Sequence, residues 1–61
     1  MITITENNKL PIIVDIASRA KRIGASFADY AFDFLVDGGM NEEDAEDMAY
    51  QLESDFEELD F

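Results

Sequence analysis

Polar and apolar positions along this chain repeat at two different periods. The opening "MITIT" alternates, which is the period of a strand. Five residues cannot form a sheet alone. The segment fits an edge strand, a dimer contact or a loose arm, and residues 1–9 are expected to be extended. "ENN" then reads as a turn. From Pro11 the period becomes helical, because proline suits a first turn where its missing N–H is not needed. Asn8 lies slightly early for the cap. Ile13, Ile16, Ala17, Ala20 and Gly24 share one face, with Ile12 and Ile23 beside it and Asp15, Ser18, Arg19 and Arg22 opposite. The spacing predicts a helix over 11–23, supported by an Asp15–Arg19 pair at i,i+4 and stopped at Gly24.

"SFAD" restarts a helix. Ser26 can cap free N–H groups, with Asp29 three residues on in the manner of a capping box. Phe27, Tyr30, Ala31, Phe34 and Leu35 form an apolar stripe, widened by Phe32 and Val36. Only a narrow seam of Asp29, Asp33 and Asp37 stays polar, so the helix over 27–37 is expected at the centre. Gly38-Gly39 ends it. Asn41 caps a third helix over 42–58, whose stripe is Ala45, Met48, Ala49, Leu52, Phe56 and Leu59. Glu42, Glu43 and Asp44 fill its first turn, where the helix dipole favours anions. The pattern predicts one all-α domain over 1–61, a compact three-helix bundle. Its expected core is Ile13, Ile16, Ala20, Phe27, Ala31, Phe34, Leu35, Met48, Leu52 and Phe56.

Charge changes this picture. The 61 residues are 48% hydrophobic, enough to pack, yet the net charge is -11. Small domains usually stay within a magnitude of about 2 to 8. Residues 1–28 hold Lys9, Arg19, Lys21 and Arg22 against Glu6 and Asp15, a balance of 4 - 2 = +2. Residues 29–61 hold thirteen acids and no base. Like charges one turn apart each cost a few tenths of a kcal/mol. A helix shaped by folding alone intersperses lysines. Solubility alone explains a solvated charge run, but it does not require the first half of the chain to be spared.

Several chemistries are excluded or disfavoured. With no His or Cys, neither a soft-metal site nor a nucleophile–base pair of the usual kind can form. No glycine-rich phosphate loop is present. An enzyme is not expected, nor a cofactor. "DFLVDGGMNEED" over 33–44 has the outline of a calcium loop, but Leu35 occupies a ligand position and also belongs to the apolar stripe. A helix, a Gly-Gly stop and an Asn cap account for the same residues, so no metal is expected. Direct DNA binding is opposed by the acid excess. The absence of a signal peptide or a membrane-spanning run points to the cytoplasm.

The acidic faces remain. Asp29, Asp33 and Asp37 rise along one side of the second helix. On the third, Glu43, Glu46, Asp47, Glu53 and Glu57 lie away from the stripe, with Tyr50 among them to offer a flat contact to an arginine. These nine residues are the expected partner-binding set, and the partner is a basic, DNA-binding surface. In length, charge density and helical make-up, including "DYAFDFLVDGG" and "NEEDAEDMAYQLESDFEELDF", the chain resembles phage-encoded DNA mimics, in particular the small acidic anti-CRISPR proteins of type I systems. The resemblance implies a non-catalytic inhibitor, a monomer or weak dimer, that occupies the basic DNA channel of an effector complex in the bacterial cytoplasm. Two other readings compete with it. One is an acidic phage or plasmid regulator, or an anti-restriction protein, that binds a different basic protein. The other is an antitoxin-like module using Phe32, Val36 and Phe61 as an apolar interface.

Overall fold

The computed structural model describes residues 3–59. Three helices fill it: α1 (Lys9–Ile23), α2 (Phe27–Asp37) and α3 (Glu42–Glu58). No strand is present among the described residues. The radius of gyration is 10.6 Å, close to the roughly 10.5 Å of a compact chain this long. The helices are therefore packed as a bundle.

The start of α1 differs from the sequence reading by two residues. Asn8 is the N-cap residue, and Thr5 holds it in place. The Thr5 Oγ1 accepts from the Asn8 N–H at 3.3 Å, while Asn8 Oδ1 accepts from the Thr5 N–H at 2.7 Å. The Lys9 N–H donates to the Thr5 carbonyl at 2.9 Å. This reciprocal box winds residues 6–8 into a turn, and α1 begins at Lys9. Asn8 makes no side-chain cap bond to the helix itself. Its Nδ2 reaches back to the Thr3 carbonyl at 2.8 Å, which leaves only 3–5 of the expected arm outside turn or helix. Residues 1–2 of "MITIT" lie outside the described residues.

The other boundaries follow from local chemistry. Ser26 Oγ accepts from the Asp29 N–H, and Asn41 Oδ1 from the Asp44 N–H at 2.8 Å. Both glycine stops are Schellman motifs. At the first, the Ala25 N–H donates to the Ala20 carbonyl and the Gly24 N–H to the Lys21 carbonyl. At the second, the Met40 N–H donates to the Leu35 carbonyl and the Gly39 N–H to the Val36 carbonyl. The residue in the left-handed region at each is Gly24 (φ 75°) and Gly39 (φ 102°).

The core holds Ile13, Ile16, Ala20, Phe27, Ala31, Leu35, Ala45, Ala49 and Leu52. Burying each large member contributes about 2–3 kcal/mol. Two corrections to the expected core share one cause. Ala45 and Ala49 belong to it, whereas Phe34, Met48 and Phe56 sit half-buried at its edge. The α2–α3 interface is the largest in the bundle, and Ala31, Ala45 and Ala49 let those helices approach closely. Larger side chains are displaced to the rim. The smallest interface is between α1 and α3. Between the start of α2 and the end of α3, Phe27 and Phe56 stack with centroids 4.9 Å apart and planes 6° from parallel.

Candidate acidic interface

The expected acidic residues are positioned by what they cannot do. No charged or polar side chain is buried among the described residues. Each helix turns its apolar stripe inward and leaves its carboxylates outside. Asp29, Asp33, Asp37, Glu43, Glu46, Asp47, Tyr50 and Glu57 are exposed, and Glu53 is half-buried. None of these carboxylates joins an ion pair within the described residues. The bases that do pair take other acids. Lys9 Nζ bridges Asp55 at 2.9 Å and Glu6 at 3.8 Å, and Arg19 Nε bonds Asp15 at 3.0 Å.

The nine residues do not form one array. On α3, Glu46, Tyr50, Glu53 and Glu57 recur at i, i+4, i+7 and i+11, so they line one side, with Glu43 and Asp47 at its margin. Asp29 of α2 joins this group. It borders a shallow groove of about 140 Å³ with Phe32, Glu46 and Tyr50, floored by Ala28 and Ala49. Asp47 also borders a second hollow with Asp44, Met48 and Gln51 by the Gly39 turn.

Asp33 and Asp37 go elsewhere. They share a hollow with Arg19, Tyr30 and Phe34 on the α1 side. The reason is helical pitch. Each step of four residues overshoots a full turn by about 40°. Two steps carry the seam from the α3 side at Asp29 to the α1 side at Asp37. There the Arg19 guanidinium offsets part of their field. Its pKa is raised above the ordinary value, first by the hydrogen bond to Asp15 and next by one to the Tyr30 hydroxyl.

The coherent acidic surface is thus Asp29, Glu43, Glu46, Asp47, Glu53 and Glu57 around Tyr50, a residue 59% exposed. Phe32 lines the same groove and was assigned above only to an alternative apolar interface. Its i+3 spacing from Asp29 was the signal that it shares that side. Charge density distinguishes the helix that carries most of this surface. α3 is 17 residues long and carries nine acids and no base. At 1.5 Å per residue that is one charge per about 3 Å of axis. One strand of duplex DNA carries one per about 3.4 Å.

Among the described residues, no group of three or more carboxylates is arranged to hold a metal ion. The outline of a calcium loop dissolves because Asp33 and Leu35 lie inside α2. No helix is long and apolar enough to cross a membrane. No family model matches the chain, and neither the curated proteins nor the solved structures contain a significant match.

Proposed function

We propose that this chain is a non-catalytic inhibitor that occupies the basic DNA-binding site of a nucleic-acid-binding protein, a CRISPR effector complex in the bacterial cytoplasm being the favoured target. The observation that carries the reading is the α3 face. Its five α3 carboxylates, Glu43, Glu46, Asp47, Glu53 and Glu57, join no ion pair among the described residues and are held on a packed helix whose overall charge density is close to that of a nucleic-acid strand. A rigid array of this kind gains Coulomb energy from a cationic groove without first ordering itself. It also sheds the like-charge repulsion it carries when free. Tyr50 adds a flat surface for an arginine side chain.

An apolar interface at Phe32 and Val36 is less favoured, because both side chains are half-buried against the core. Phe61 lies outside the described residues.

The test is competition. A purified type I surveillance complex is mixed with labelled target duplex, and the chain is titrated in at low salt. Release of the duplex at stoichiometric amounts, weakening steeply as salt rises, is the expected result. A variant carrying Asp29→Asn, Glu46→Gln, Glu53→Gln and Glu57→Gln should lose this effect with its helicity intact. Undiminished binding by that variant would remove the basis of the proposal. Should the complex ignore the chain, low-salt capture from a phage-host lysate decides the broader reading. Capture only of proteins without nucleic-acid-binding activity would end it.

A further inference from the structure

The exposed apolar side chains on α1 follow a pattern that its burial does not explain. The residues that face the core are Ile13, Ile16 and Ala20. About 90° around the helix lie Leu10, Val14, Ala17 and Lys21, separated by four, three and four residues. That is the spacing of a coiled-coil seam. Leu10 is 51% exposed and Val14 40%. Beside them runs an open apolar groove of about 400 Å³, walled by Val14, Ala17, Lys21, Ala25, Phe27 and Phe56. It exists because α1 and α3 meet least.

Charge along the seam is polarised. Lys21 and its neighbour Arg22 stand at one end and form no ion pair among the described residues, in a chain with fifteen acids. At the other end, Leu10 is bordered by Glu6, Asp55 and Glu58. Lys9 stands there too and pairs with Asp55 and, at 3.8 Å, with Glu6, whereas Glu58 joins no ion pair among the described residues. A seam that is basic at one end and acidic at the other is complementary to itself when reversed.

We propose that two copies of this chain associate across a two-fold axis with their α1 helices antiparallel, Val14 facing the partner's Ala17 and Lys21 lying over the partner's Leu10. The lysine stem would cover the leucine while its ammonium reaches Glu58 and Glu6 of the second copy. The contact is isologous, so it closes at a dimer. It engages only the Glu58 end of α3 and does not use the face around Tyr50, and it stands whether or not that face binds a nucleic-acid-binding protein.

Sedimentation velocity from roughly 5 to 500 μM tests it. A concentration-dependent dimer is expected. It should tighten between about 50 and 500 mM NaCl, because each copy carries a charge of -11 and salt screens their repulsion. This dependence is opposite in sign to that expected for a basic partner. Val14→Glu and Lys21→Glu should each weaken the dimer about tenfold or more. Circular dichroism checks that the fold survives, which exposure of both sites favours. The pair Lys21→Glu with Glu58→Lys should restore association. A chain that stays monomeric throughout, or a dimer that both single variants leave intact, overturns the proposal. Failure of the charge swap to restore binding overturns the antiparallel register.

Discussion

Lys9 Nζ lies 2.9 Å from an Asp55 carboxylate oxygen, and this is the ion pair that ties the first residue of α1 to α3. The Lys9 pKa is raised, chiefly by that hydrogen bond, against an opposing effect of burial. A group raised in the folded state contributes stability that is fully present below its unfolded value. The contribution is lost as pH climbs through the folded value. The window therefore opens near 10.5, the ordinary lysine value, and extends above it. Thermal melts of wild type and Asp55→Asn should differ at pH 9 and converge once Lys9 deprotonates. A gap that stays constant across this range would show that the pair has no stabilising role.

The stack of Phe27 on Phe56 joins the start of α2 to the end of α3. Phe27 is buried and Phe56 only partly so. Phe56→Ala should therefore fall below the usual range for a buried phenylalanine, at about 2 kcal/mol. In a domain this small that lowers the melting temperature by roughly 10 °C. Phe56→Leu should recover most of the loss. A melting temperature unchanged by the alanine would mean the ring contact is dispensable.

The two glycines after α2 should respond differently to alanine. Gly39 sits at φ 102°, where a Cβ is strained, and Gly38 at φ -77°, where it is not. Gly39→Ala should cost about 1–2 kcal/mol. Gly38→Ala should be neutral or slightly stabilising, because it lowers the entropy of the unfolded chain. Urea denaturation of the two variants distinguishes them, and equal effects would contradict the turn described above.

Salt should stabilise this protein. Acids stand at i,i+4 in the pairs Asp29–Asp33, Asp33–Asp37, Glu42–Glu46, Glu43–Asp47 and Glu53–Glu57. Together they oppose folding by on the order of 1–2 kcal/mol at low ionic strength. Screening relieves most of it, so the melting temperature should rise by about 5 °C between low and high NaCl. Measurement at low protein concentration keeps self-association out of the result. A fall with salt would mean that the attractive pairs outweigh the repulsive ones.

Charge reversal should be position-dependent in any binding assay. Glu46→Lys and Glu53→Lys lie on the coherent α3 face, whereas Asp37→Lys lies in the hollow that holds Arg19. The first two should weaken binding to a basic partner by about tenfold or more, and the third by much less. Equal losses at all three sites would point to a diffuse field rather than a face.

The pattern of residues alone determined three helices, their caps at Ser26 and Asn41, their glycine stops and the outward placement of the acids. Those features depend on contacts within a few residues, which the order of side chains specifies directly. It did not determine the first turn, because the Thr5–Asn8 box uses polar side chains with no apolar period to mark them. Nor did it show that Ala45 and Ala49 lie deeper than Phe34 and Phe56. Depth depends on how closely two helices approach, and small residues win at the closest point. The tertiary structure alone divided the acids, sending Asp29 to Tyr50 and Asp37 to Arg19. A helix of 3.6 residues per turn rotates a four-residue seam away from any one neighbour, so which neighbour each acid meets is decided only when the helices pack.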